Sequence, residues 1–203
     1  EPGMVRADDL DLDKIRDAKW LHVCGFTLST NQNSADAVYK MVKGASEKTK
    51  VCFDPNIRPE ALSVEEIKEL CHPVLERADV IFPSRGEAMM FTGAATDDEG
   101  CRQWALEGKI VVLKNGAAGC RIYAGDEVIQ VPGFQVEEVD PTGAGDTFCG
   151  AFLTAMIEGK SLTECARFAN AAGAMSVRKR GPMEGAPSRE ELEAFLKEAG
   201  SPE

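Results

Sequence analysis

The sequence predicts an α/β fold: a doubly wound, mostly parallel sheet with helices on both faces. Three observations carry the prediction. Short apolar runs alternate with segments of helical periodicity through the first half of the chain. Two further strand-like runs flank Gly125-Asp126, which marks a hairpin. A glycine-rich turn then opens straight into an apolar helix, Val139-Asp140-Pro141-Thr142-Gly143-Ala144-Gly145-Asp146-Thr147-Phe148-Cys149-Gly150-Ala151-Phe152. Strand–helix alternation is the pattern of a parallel sheet covered on both sides.

In order, Trp20 to Cys24, Val51 to Asp54, Val80 to Phe82 and Ile110 to Leu113 are short apolar runs, so they read as buried strands. Between them, helices are expected near residues 33–48, 63–76, 84–91 and 97–107. Arg121 to Tyr123 and Val128 to Val131 form the hairpin. Helices follow near 145–158, 161–178 and 188–199. In such sheets ligands collect outside the carboxyl ends of strands, so site residues should follow strands.

Composition narrows the classes. The chain has 203 residues, enough for one domain with a substantial core. Its net charge is −11, with no basic stripe, which argues against nucleic acid and anionic membrane as partners. No apolar run is long enough to span a bilayer. Glu1-Pro2-Gly3 does not begin a secretory signal. Seven cysteines are scattered without a C-x-x-C pair, as expected of buried thiols in a cytoplasmic protein. His22 and His72 have no ligand-like spacing with them, so no zinc site is expected.

The 139–152 segment carries the chemistry. The first amides of a helix have no intrahelical partner, and the helix dipole favours an anion there. Gly143, Ala144 and Gly145 would let a phosphate approach those amides closely. Asp146, one residue on, could accept a proton from a hydroxyl. A phosphate cradle beside a carboxylate base suits phosphoryl transfer to an alcohol. The same residues would also serve as a plain capped helix start, with Thr142 capping.

The string Asp-Pro-Thr-Gly-Ala-Gly-Asp-Thr-Phe, at residues 140–148, resembles the C-terminal signature of the ribokinase family, the phosphofructokinase-B type of carbohydrate kinase. The resemblance covers nearly the whole chain and implies one ribokinase-like domain over residues 1–203. It implies ATP-dependent phosphorylation of a small sugar or sugar acid at a primary hydroxyl. Asp146 would be the base and Gly143, Ala144 and Gly145 part of the anion hole. It also implies that the family's first strands, a glycine-rich sugar-binding motif and a small β lid precede the equivalent of Glu1. These residues are therefore expected to be the C-terminal portion of the fold.

Four further segments take roles from the resemblance. Asp54-Pro55-Asn56-Ile57-Arg58 follows a strand and looks like the segment of sugar-acid kinases. Asn56 and Arg58 would hold a substrate hydroxyl or phosphate, or form an ordinary Asx-Pro turn. This segment favours 2-keto-3-deoxygluconate as acceptor. Fructokinase or ribokinase activity, or a catalytically silent nucleotide-binding fragment, is the alternative. Ser84-Arg85-Gly86-Glu87 matches the family's Asn-x-x-Glu only at Glu87, which would support Mg2+ through water. Ser84, in the usual asparagine position, would lie on the ATP side. The string also fits a capping box. Lys114, Gly116 and Gly119 would line the nucleotide, or form an Asn-Gly turn. Asn170, on a helix of small residues, would border adenine. Asp140 and Thr142 would border a K+ site in some relatives. A homodimer is expected of the intact protein.

Overall fold

Four apolar runs pair side by side as a parallel sheet; the first alternates buried and more exposed positions, and the other three are buried on both faces along most of their length. The computed structural model describes residues 6–57 and 62–200. The strands are β1 (Trp20–Cys24), β2 (Lys50–Asp54), β3 (Val80–Ile81) and β4 (Ile110–Lys114), followed by β5 (Cys120–Ala124) and β6 (Glu127–Val131). Among the described residues they form one mixed six-stranded sheet in the order β1-β2-β3-β4-β5-β6. The pairs β1–β2, β2–β3 and β3–β4 are parallel, and the register sets Val23 beside Phe53, Phe53 beside Ile81 and Ile81 beside Val111. All four of those side chains are buried. Unbroken burial over residues 51–54 of β2 and along β3 is what a sheet covered on both faces requires. The parallel register brings the carboxyl ends of these strands to one edge.

The helices are α1 (Leu12–Arg16), α2 (Phe26–Thr30), α3 (Gln32–Gly44), α4 (Val64–Arg77), α5 (Glu87–Thr92), α6 (Asp97–Leu106), α7 (Ala144–Ile157), α8 (Leu162–Ser176) and α9 (Arg189–Glu198). Three begin with reciprocal capping boxes: Ser63 with Glu66, Ser161 with Glu164 and Ser188 with Glu191. The short helices α1 and α2 have no sequence counterpart above, because five residues show no periodicity.

Residues 1–113 with 123–127 make one compact unit; residues 114–122 with 128–203 make a second. The first holds β1 to β4 and α1 to α6 around Val51, Phe53, Ile81, Phe82, Val111 and Val112. In the second, α7 and α8 pack closely through small residues, among them Ala155, Cys165, Ala166 and Ala169, each fully buried. α9 adds Leu192 and Phe195, the latter edge-on to Phe134 at 5.2 Å. No described helix is long and apolar enough to cross a membrane.

One expected helix start moves. The capping-box reading of Ser84-x-x-Glu87 would begin a helix at Ser84. α5 instead begins at Glu87, after a turn in which Gly86 takes φ +87°. Asp97, from the start of α6, serves as its cap: its carboxylate accepts the N–H groups of Gly86 at 2.7 Å and Met89 at 3.2 Å. One bond of the expected box forms nonetheless: Glu87 Oε2 accepts the Ser84 N–H at 2.7 Å.

Candidate active site

The glycine turn opens α7 as the sequence suggested, but Thr142 does not cap it: Gly143 holds the N-cap position and no side chain caps the helix there. Gly143 is the residue before the helix and has φ +80°, a conformation that side chains rarely adopt. A Cβ at Gly143 would lie 2.1 Å from the Pro182 carbonyl oxygen. Two constraints therefore select glycine here: the turn and the close approach of residue 182. Ala144 N–H donates to Pro141 O at 3.2 Å and Thr147 N–H to Gly143 O at 2.9 Å. Helix geometry leaves the amides of Gly145 and Asp146 without an intrahelical acceptor. Asp146 is in the first turn and solvent-exposed.

Asp140 ties this turn to the loop after α8. Its Oδ1 accepts Thr142 N–H at 3.0 Å and its Oδ2 accepts Gly181 N–H at 2.9 Å. The Thr142 side chain, these two amides and the charge of Arg180 hold the Asp140 carboxyl well below the usual range, at about 2. Val139 and Asp140 N–H both donate to Val177 O, at 2.8 and 3.1 Å. Gly181-Pro182 is thus the roof of the α7 turn.

The loop after β4 separates its two glycines. Residues 116–118 form a single 3-10 turn, closed by Asn115 N–H to Gly119 O at 2.8 Å and Gly119 N–H to Gly116 O at 2.9 Å. At Gly119, φ is +91° and a Cβ would meet Val131 O at 2.2 Å and Gly133 N at 2.4 Å. Its side is closed by backbone. At Gly116, φ is +59° and a Cβ would meet nothing within 4 Å. Gly116 is the glycine a ligand could approach. Asn170 is buried, and its Nδ2 donates to Val131 O at 3.2 Å and Pro132 O at 3.0 Å. It pins the segment after β6 onto α8.

In the first unit, the loop after β2 holds Asn56 in a left-handed conformation, φ +38°, the one described non-glycine residue with positive φ. Its Nδ2 donates to Cys24 Sγ at 3.3 Å. Gly25, directly after β1, donates its N–H to Asp54 O at 2.7 Å, and a Cβ there would lie 2.1 Å from Pro55 O. Glu87 is 6% exposed; its Oε1 accepts Ile57 N–H at 3.0 Å and its Oε2 accepts Ser84 N–H at 2.7 Å. Arg58 lies outside the described residues. Gly25 was missed by the sequence reading; a glycine immediately after a buried strand was the available signal. Among the described residues, no group of three or more His, Cys, Asp or Glu could hold a metal ion.

A glycine turn opens a helix whose first turn carries an exposed carboxylate, and three strand pairs of the sheet are parallel: the protein is of the α/β class. The pattern of the pfkB family carbohydrate kinases matches residues 4–189, and the chain belongs to that family. It is 34% identical to probable fructokinase-2 of Arabidopsis thaliana over 204 aligned residues, covering 96% of this chain and 62% of that protein. Ribokinase II from E. coli, solved with ATP and Mg2+, is 35% identical, with a TM-score of 0.90 over 97% of this chain and 64% of that one. Fructokinase from Vibrio cholerae, solved with fructose, ADP and a calcium ion, is 29% identical, with a TM-score of 0.78 over 92% of this chain and 64% of that one. A double mutant of that fructokinase was solved with fructose, ADP and potassium. The chain thus spans less than two thirds of the length of these relatives.

Proposed function

We propose that the protein transfers the γ-phosphate of ATP to a hydroxyl of a small sugar, with fructose the favoured acceptor. Its ATP would arrive as the magnesium complex, a substrate that brings its own metal. The observation that carries the reading is Asp146 in the first turn of α7, directly behind the Gly143 turn. The amides of that turn would hold the phosphate oxygens. Asp146 would take the proton of the attacking hydroxyl as its oxygen bonds the γ-phosphorus and the bond to ADP breaks. Gly116 would face the nucleotide, with Lys114 beside it. Asn56 would contact a substrate hydroxyl or phosphate.

The choice of acceptor departs from the sequence expectation. The Asp54-x-Asn56-x-Arg58 segment favoured 2-keto-3-deoxygluconate. The fructokinase names of the similar proteins support the alternative, because they rest on similarity along the whole chain and not on five residues. A monovalent cation beside Asp140 and Thr142 remains part of the proposal, as does a homodimer. The test is a coupled assay of ADP release by the full-length protein with fructose, ribose and 2-keto-3-deoxygluconate. Turnover highest with fructose is expected. Turnover highest with the keto-deoxy acid would restore the first reading. Nucleotide binding without turnover on any sugar would support the silent nucleotide-binding alternative.

A further inference from the structure

We propose that the cavity between the start of α8 and the end of α9 is a second binding site, for a small organic anion that carries clustered carboxylate or phosphate groups. The inference goes beyond the proposed function and does not depend on it. The cavity measures about 480 Å³, within the usual range of a small-molecule site. Lys160, Arg167 and Lys197 line it. Helix spacing brings them together. Glu164, Arg167 and Phe168 share one face of α8 by their i, i+3, i+4 spacing, and Lys160 directly precedes the cap of that helix. The last turn of α9 adds Leu196 and Lys197.

The chain has a net charge of −11, yet none of these three cations is in an ion pair among the described residues. Arg189, also on α9, shows the contrast: it pairs with Glu158 at 2.8 Å and with Glu193 at 2.6 Å. Two of the three are held in place without being neutralised. Arg167 Nη2 donates to the carbonyl oxygens of Leu196, at 3.5 Å, and Gly200. Its Nε and Nη1 hydrogens take no partner among the described residues. Lys160 Nζ lies 5.0 Å from the centre of the Phe168 ring, whose face attracts a cation without cancelling its charge. A guanidinium fork beside two ammonium groups suits carboxylate or phosphate oxygens. Glu164 is the carboxylate in the lining, and its Oε2 accepts the Ser161 N–H at 2.9 Å and the Ser161 hydroxyl at 2.6 Å. Phe168 and Leu196 form an apolar wall that a carbon skeleton could cover. The site is separate from the nucleotide cradle. Lys160 follows the last turn of α7 and the Gly143 turn opens its first; the helix has 14 residues and is about 20 Å long.

The test titrates citrate and 2,3-bisphosphoglycerate into the full-length protein and follows backbone amide chemical shifts. Saturable shifts are expected at residues 160–168 and 196–200 with at least one probe, and the tighter probe tells a carboxylate ligand from a phosphate ligand. Lys160→Gln with Lys197→Gln should weaken that binding by about 10-fold or more, the effect of losing charged hydrogen bonds. Arg167 is left in place because it also holds the end of α9. Shifts confined to the Gly143 turn, no saturable shift with either probe, or equal affinity in the double variant would overturn the site. If the double variant does not fold, the salt dependence of wild-type binding decides. Affinity at residues 160–168 that falls as sodium chloride is added supports the cation site, and affinity indifferent to salt overturns it.

Discussion

At the residue scale, two aspartates six positions apart do different work. Asp146 is exposed in the first turn of α7, whereas both oxygens of Asp140 are engaged by backbone amides. Asp146→Asn keeps the shape and removes the proton acceptor. It should lower kcat by on the order of 10²–10⁴, the usual effect of losing a general base. Nucleotide affinity measured by calorimetry should be unchanged, because the backbone amides remain. Turnover near the wild-type rate would remove Asp146 from the chemistry. Asp140 makes a pH prediction. Its folded pKa lies at about 2, below an ordinary 3.8, so the contribution of its bonds is fully present above pH 4. It is lost only as the pH falls toward 2. Protection of the Gly181 amide, taken relative to its intrinsic exchange rate at each pH, should therefore be high at pH 5 and fall below pH 3. An Asp140→Asn protein should lack that pH dependence of protection.

At the element scale, the start of α7 is fixed by fit against the loop after α8. Gly143→Ala would place a Cβ 2.1 Å from Pro182 O at φ +80°. The turn must shift, and the amides behind it shift too. ATP affinity should fall by more than the melting temperature suggests, a comparison made by calorimetry and thermal unfolding. ATP affinity equal to wild type in a folded variant would exclude this turn as the cradle. A control acts on the far end of the same helix pair. Ser161→Ala removes the α8 cap, in which Ser161 Oγ accepts the Glu164 N–H at 3.4 Å. It should cost about 1 kcal/mol of stability and leave ATP affinity alone. The positions of the helices were legible because capping boxes and apolar periodicity are local signals. The start of α5 was not, since its cap, Asp97, comes from the next helix.

At the scale of the whole molecule, the chain covers 62% of a fructokinase relative that it matches. The 203 residues by themselves should bind nucleotide, because Lys114, Gly116 and the α7 turn, the groups proposed to hold it, all belong to the second unit. They should phosphorylate fructose hardly at all. Calorimetry with ATP and a coupled assay on the 203-residue chain check both parts. Full turnover would place every residue the reaction needs within these 203.

The sequence by itself determined the strand order of chemistry: apolar runs, each followed by a polar loop, and one glycine-rich turn that opens a helix. Periodicity and turn residues act over a few positions, so they are readable in the chain. The membership in the pfkB family rests on a match along residues 4–189, of which that local string is one part. The tertiary structure decided which of these residues are open and which are engaged. Gly119 is closed by the backbone of residues 131–133 while Gly116 is open, although the two look alike in sequence. Asn170 spends its amide on Val131 and Pro132, and Glu87 spends its carboxylate on Ile57 and Ser84. Such assignments depend on which backbone groups from distant segments arrive within hydrogen-bond reach. No run of neighbouring residues encodes that distance; only the packed sheet and its helices do.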